Sequence, residues 1–325
     1  MSSHHPGPPD PGQPVLALDV GGTKLAAGVV SPDGTVRSFC QIETAVGEGP
    51  AAVLKRLLEL GEQALADSGS AGVAAVGVGC GGPLDPRTGV ILGPPGLPGW
   101  DEVPLGRFVA EHFDVPTYVE NDATAAALGE YRWGGWEVRS LVYLTVSTGF
   151  GGGVVADGKL FRGAADQGGE LGHVVVDWQG RQCGCGARGC AEAYVSGTAI
   201  ARRAAEAVAD RPESSLATLT AITAKDVAEQ ALAGDPVARA VWDETTAMLG
   251  RMVAVLINVC EPELVVLGGG VTRAGAQLLD PVREAALRQA MPPAAAACDV
   301  VLSRHGDVVG VLGAAAIGYQ RMGER

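Results

Sequence analysis

Glu170-Leu-Gly-His173, nine intervening residues, then Cys183-Gly-Cys185-Gly-Ala-Arg-Gly-Cys190-Ala-Glu192: the rest of the chain is organised around this stretch. Three thiols and one imidazole complete a tetrahedral ligand set for zinc and leave no position for a reacting water. The pattern therefore describes a structural metal held by His173, Cys183, Cys185 and Cys190, not a catalytic one. The competing reading is a disulfide with a spare thiol. Cys183 and Cys185 are too close in sequence for an unstrained bridge. Seven cysteines, an odd number, in a long chain without a signal peptide point to a reducing compartment and a cytoplasmic protein. Glycines 184, 186 and 189 suit a loop folded tightly around an ion. Zinc is the preferred reading, and it is expected to hold the loop rigid so that Glu170 and Glu192 face a substrate. Cys40, Cys80, Cys260 and Cys298 lie in apolar surroundings and read as core.

With 325 residues, 47% of them hydrophobic and 19% charged, the chain has the composition of a globular protein large enough for two cores. A net charge of −13 lacks the basic face that nucleic acid or an anionic membrane surface requires. No apolar run is long enough for a membrane span. Residues 1–14, rich in Pro and Gly and carrying His4 and His5, read as a disordered tail.

Val15 to Val20 reads as a strand ending in Asp19, and Gly21-Gly22-Thr23-Lys24 as the hairpin loop into a second strand, Leu25 to Val30. The glycines open no helix, so this is not a Walker loop. Turn N–H groups, the Thr23 hydroxyl and the Lys24 ammonium still suit a phosphate, and Asp19 suits Mg2+ or its water. Apolar periodicity predicts a helix over 49–68 and a buried strand over 73–80. Residues 93–100, Gly-Pro-Pro-Gly-Leu-Pro-Gly-Trp, can only be a restricted loop.

The strand over 116–120 runs into Asn121-Asp122 and a helix over 123–131. Asp122 reads either as a helix N-cap or as a carboxylate at a strand's carboxyl end, where α/β proteins bind ligands. Ser147-Thr148-Gly149-Phe-Gly151-Gly152-Gly153 repeats the first pattern, strand then small polar loop then strand, and suggests two similar halves with a phosphate-holding hairpin each. Helices are expected over 194–209, 225–233, 236–260, 274–290 and 307–322. A strand over 264–267 runs into Gly268-Gly269-Gly270, where a ring or ribose can approach the backbone closely. The domain boundary is expected as a hinge near 120–140.

Phosphoryl transfer to a hydroxyl needs a triphosphate cradle, a metal, a base and a site that fixes the acceptor. Asp122 is the candidate base. Asn121, Glu170, Glu192 and His173 are hydrogen-bonding groups suited to sugar hydroxyls.

At these residues the chain resembles a sugar kinase of the ROK (repressor, ORF, kinase) family, nearest to the actinobacterial glucokinases. The resemblance rests on Asp19-Val-Gly-Gly-Thr-Lys24, Ser147-Thr-Gly-Phe-Gly-Gly-Gly153, Asn121-Asp122, Glu170-x-Gly-His173, and the Cys183-x-Cys-Gly-x-x-Gly-Cys190-x-Glu192 signature. It implies a two-lobed α/β fold of the actin-like/hexokinase ATPase (ribonuclease H-like) kind with a structural zinc loop, 173–190. The small lobe would comprise 15–121 plus 312–325, the large lobe 122–311. It further implies ATP-dependent phosphorylation of a hexose 6-hydroxyl, glucose first, with Asp122 as base. Gly82, Asn121, Asp122, Glu170, His173 and Glu192 would hold the sugar. Asp19, Gly21, Gly22, Thr23, Lys24, Ser147, Thr148, Gly149, Gly151, Gly152, Gly269 and Gly270 would hold ATP with Mg2+. A homodimer or homotetramer is implied as well.

Two positions bear on the sugar. Many relatives carry Asn before Leu-Pro-Gly-Trp, where this chain has Gly96, and Pro83 follows Gly82 where relatives acting on N-acetylated sugars can carry Arg. Glucose is favoured, with N-acetylmannosamine, N-acetylglucosamine or fructose as the alternatives on the same frame. A sugar-sensing ROK repressor is the non-enzymatic alternative; its helix-turn-helix has no counterpart before the first strand here.

Overall fold

A computed structural model describes residues 12–324, which form two compact units. The sequence expectation for residues 1–11, including His4 and His5, lies outside the described residues. Gln13 and Pro14 are held: Ala74 N–H donates to Pro14 O (2.9 Å) and Tyr319 OH to Gln13 O (3.1 Å).

The first unit comprises residues up to 137, 162–168 and 307 onward. Its strands are β1 (Val15–Val20), β2 (Lys24–Val30), β3 (Val36–Glu43), β4 (Ala75–Cys80), the short pair β5 (Leu84–Asp85) and β6 (Val90–Ile91), and β7 (Thr117–Asn121). Its helices are α1 (Pro50–Ser68), α2 (Leu105–Phe113), α3 (Asp122–Trp133) and the C-terminal helix Val309–Gly323. The main sheet has the order β3-β2-β1-β4-β7; β1–β3 pair antiparallel, and β1, β4 and β7 run parallel. β1 and β4 are apolar on both faces, as strands covered on both sides must be. Leu57 and Leu60 of α1 and Val109 of α2 pack with one face; Val311, Leu312 and Ala315 of the C-terminal helix pack with the other.

The second unit comprises residues 138–161 and 169–306. It contains β8 (Leu141–Val146), β9 (Phe150–Ala156), β10 (Lys159–Leu160), α4 (Glu192–Val195), α5 (Gly197–Val208), α6 (Ala224–Ala233), α7 (Pro236–Cys260), β11 (Leu264–Gly268), α8 (Ala276–Gln289), α9 (Pro292–Ala297) and β12 (Asp299–Leu302). Its sheet, β10-β9-β8-β11-β12, repeats the order and strand senses of the first. The two similar halves expected from the paired glycine loops are present.

The chain passes from one unit to the other after Glu137, Phe161, Gly168 and Gly306, where the sequence reading places the divisions at 121/122 and 311/312. The reason is packing. A Cβ on Gly129 of α3 would lie 2.8 Å from Gly313 N, and one on Gly313 would lie 2.5 Å from Ala125 C, so α3 and the C-terminal helix meet backbone to backbone. The helix expected over 194–209 is broken at Ser196, whose hydroxyl caps α5 by accepting from Ala199 N–H. α8 begins at Ala276, because 270–274 form a 3-10 turn and Gly275 (φ 61°) interrupts the chain.

Candidate active site and metal centre

Parallel pairing of β1, β4 and β7 aligns their carboxyl ends, with Asp19 opposite Gly79 and Cys80 opposite Asn121. A Cβ on Gly79 would lie 3.6 Å from both Asp122 Cα and Asp19 Oδ1, so a glycine there lets the two acidic residues approach. Burial pushes the Asp19 carboxyl up to about 7, and the neighbouring Asp122 carboxylate adds to the effect. Burial, then Asp122 and Asp19, hold the Cys80 thiol well above its usual range. Close acidic oxygens at strand ends suit a hard divalent cation, which would relieve their repulsion.

Asn121, not Asp122, caps α3. Its Oδ1 accepts from Ala123 and Thr124 N–H, both at 3.0 Å, and Asp122 is the helix's first residue. The N-cap position therefore belongs to Asn121, and Asp122 Oδ1 also accepts from Ala123 N–H (2.8 Å). The cap occupies the carbonyl end of the Asn121 amide and leaves the NH2 end for a ligand. Behind them the Glu120 carboxylate, 1% exposed, accepts from Asn121 N–H (3.1 Å) and Arg162 Nε (3.0 Å). Burial raises the Glu120 carboxyl, and Arg162 opposes the rise.

The first glycine loop is the expected hairpin, closed by Gly21 N–H to Lys24 O (3.0 Å). Thr44 fixes its backbone, its hydroxyl donating to Gly21 O (2.6 Å) and its N–H to Thr23 O (3.0 Å). A Cβ on Gly22 would lie 2.7 Å from Gly96 O, so the 93–100 loop sits directly against this hairpin. Lys24 Nζ donates to Gln41 Oε1 at 3.2 Å. Gly82 lies in the bend between β4 and β5.

The second loop is shorter than its glycines suggested. β9 begins at Phe150, so only Ser147–Gly149 turn; Gly151 and Gly152 pair with Thr145 and Leu144. A Cβ on Gly152 would meet Tyr143 O at 2.5 Å and Leu171 Cδ1 at 2.8 Å, so this glycine admits the neighbouring chain. Gly269 (φ 88°) likewise makes room for Val146 O, while Gly270 is open. Phe150 N–H donates to Glu192 Oε2 (3.3 Å), and Glu192 Oε1 lies 3.8 Å from Cys183 Sγ. Glu192 thus stands between the cysteine loop and the hairpin. Glu170 is exposed and precedes the 3-10 turn that carries His173.

One ligand atom each of His173, Cys183, Cys185 and Cys190 lies within 4.8 Å of the others. Cys185 Sγ and Cys190 Sγ are 3.7 Å apart, and Cys183 Sγ is 3.8 Å from His173 Nδ1. Zn–S bonds of about 2.3 Å in a tetrahedron put sulfurs about 3.8 Å apart, so the cluster fits a metal of that kind. All seven cysteines are free thiols. Burial and the adjacent sulfurs push Cys190 up to about 12; three crowded thiols ionise together only around a cation.

The ROK family model matches residues 15–321. The chain belongs to the ROK family. It is 37% identical over 314 residues to a glucokinase of Thermotoga maritima, covering 95% of this chain and 98% of that protein. It is 34% identical over 300 residues to an N-acetylmannosamine kinase of Escherichia fergusonii, covering 92% and 96%. A crystal structure of a ROK glucokinase from Streptomyces griseus with glucose and AMPPNP superposes with a TM-score of 0.79 at 32% identity, covering 93% of this chain and 98% of that one.

Within this ROK chain, Asp19, Asn121 and Asp122 come together in the first unit. Glu170, His173, Glu192 and the 147–149 hairpin belong to the second. Sequence reasoning missed Thr44, Gly197 and Thr198, which hold the hairpins by their backbone carbonyls, Glu120, which accepts from Asn121 N–H, and Arg162, which pairs with Glu120. The signals were small: a threonine just past a strand, and a Ser-Gly-Thr that could have marked a helix break.

Proposed function

We propose that this ROK chain transfers the γ-phosphoryl group of MgATP to the 6-hydroxyl of a hexose, with glucose as the preferred acceptor. The observation that carries the reading is the Asn121–Asp122 pair at the carboxyl end of β7, beside Asp19 at the end of β1, with the N-cap of α3 supplied by Asn121. In this reading Asp122 accepts the hydroxyl proton as the oxygen attacks phosphorus. Asp19 holds Mg2+ or its water. Gly21–Lys24, Ser147–Gly149 with Gly151 and Gly152, and Gly269–Gly270 receive the nucleotide. Gly82, Asn121, Glu170, His173 and Glu192 fix the sugar; both carboxylates accept from hydroxyls, and positioning accounts for most of the catalysis in phosphoryl transfer.

His173, Cys183, Cys185 and Cys190 would hold a structural Zn2+, which supplies folding energy to the loop and no chemistry. A cytoplasmic location and a homodimer or homotetramer accompany this reading. The relative that acts on N-acetylmannosamine supports a second acceptor class on the same frame, with the Gly82–Gly96 segment as selector. The test is ADP release from MgATP with glucose, mannose, fructose, N-acetylmannosamine and N-acetylglucosamine in parallel, with 31P NMR of the product. Glucose 6-phosphate as the favoured product is expected. Preference for an N-acetylated sugar moves the identity, and no turnover with any of them overturns the proposal.

A further inference from the structure

Each of the two hairpins is held by one threonine that uses its N–H and its hydroxyl together. Thr198, second residue of α5, donates from N (3.3 Å) and from Oγ1 (3.0 Å) to Thr148 O; the preceding Gly197 N–H donates to Ser147 O at 2.7 Å. A Cβ on Gly197 would lie 2.8 Å from Ser147 O, so glycine is needed for this approach. In the first unit Thr44 does the same for Gly21 O and Thr23 O.

A trans peptide is planar, with C=O of one residue and N–H of the next pointing in opposite directions. Drawing Ser147 and Thr148 carbonyls toward α5 turns Thr148 and Gly149 N–H away from it. Drawing Gly21 O toward Thr44 turns Gly22 N–H away in the same manner. None of these three N–H groups donates to an acceptor among the described residues. Thr148 and Gly149 are exposed. Phe150 N–H, next in the row, is taken by Glu192 Oε2. A turn whose carbonyls are tied back and whose amides are left outward is built for an anion.

We propose that Thr198 and Thr44 are positioning residues for the nucleotide phosphates: each locks its hairpin with the amides outward, and neither touches the substrate. The inference rests on the reading of the two hairpins as phosphate loops. Thr198 is exposed, so Thr198→Val removes the hydroxyl's bond to Thr148 O and its contact with Ser196 Oγ (3.2 Å) without opening the core.

MgADP is titrated into wild type, Thr198→Val, Thr198→Ser and Thr44→Val, and amide resonances of Gly22, Thr148 and Gly149 are followed by NMR, with KM for ATP and for glucose measured alongside. Each valine variant is expected to weaken MgADP and raise KM for ATP roughly three- to tenfold, the worth of one hydrogen bond, while KM for glucose and kcat stay close to wild type. Thr198→Ser restores wild-type values. If the three amides shift with MgADP in wild type but Thr198→Val binds as tightly, the proposal is overturned and the phosphate-loop reading stands. If the wild-type amides do not respond to MgADP, the phosphate-loop reading itself fails and the proposal goes with it.

Discussion

Asp19 carries an electrostatic cost in the folded chain. Its carboxyl is raised to about 7 by burial and by Asp122, against an ordinary value of 3.8. The folded state therefore holds this proton more tightly than the unfolded state does. The associated stability is complete below about pH 4, declines as pH rises, and is lost above about pH 7. Asp19→Asn removes the penalty of the buried charge. In the absence of nucleotide and divalent cations, the variant should melt above wild type at pH 8 and alongside it at pH 4, measured by thermal denaturation. The gain at pH 8 is on the order of 1–2 kcal/mol, less than the full shift would give, because local relaxation and water penetration soften the cost of a buried charge. Turnover should be lost, since the same carboxylate is assigned to Mg2+. Equal melting of the two proteins at pH 8 would show that Asp19 is not held at a cost.

The metal loop stores its order in backbone contacts that need glycine. Gly172 lies on Phe150 O and Gly189 on Asp177 O, so the chain around His173 and Cys190 is packed against backbone. Of the three clustered thiols Cys185 is exposed, and Cys183 and Cys190 are buried. Cys185→Ser should abolish stoichiometric zinc, measured by metal analysis of the purified protein. Because binding free energy is folding free energy here, the variant should also melt lower and bind glucose more weakly through Glu192. A zinc-free variant with unchanged glucose affinity would separate the loop from the sugar.

Element bounds were legible where punctuation was strong. Asp235-Pro236 opens α7, and the helix ends at Cys260 just before Glu261-Pro262. They were not legible where short polar residues could serve two roles. Asn121 and Asp122 both suit a cap, and only the backbone shows that Asn121 takes it. Gly151 and Gly152 look like loop, yet they belong to β9, where a glycine serves close packing instead of a turn.

At the scale of the whole molecule, one plan is used twice: three antiparallel strands, then two parallel ones, with a short hairpin at the same place in each sheet. The repetition was visible in the sequence because Gly21-Gly22-Thr23 and Ser147-Thr148-Gly149 recur with the same strand-loop-strand setting. The unit boundary was less visible, since it depends on α3 packing with the C-terminal helix across nearly two hundred residues of chain, and no local signal reports such a contact. The Thr198 contact with Thr148 O was invisible for the same reason, although Ser196-Gly197-Thr198 marks the helix break.

The plan places Asp122 where parallel strands end, and the proposed chemistry depends on that carboxylate more than on any other group. The most direct test is therefore Asp122→Asn assayed in two ways, steady-state turnover of MgATP with glucose and calorimetric binding of glucose. Loss of the general base should lower kcat by about a hundredfold or more while glucose affinity and melting temperature stay near wild type. A variant that turns over at close to the wild-type rate would contradict the assignment of Asp122 as the base.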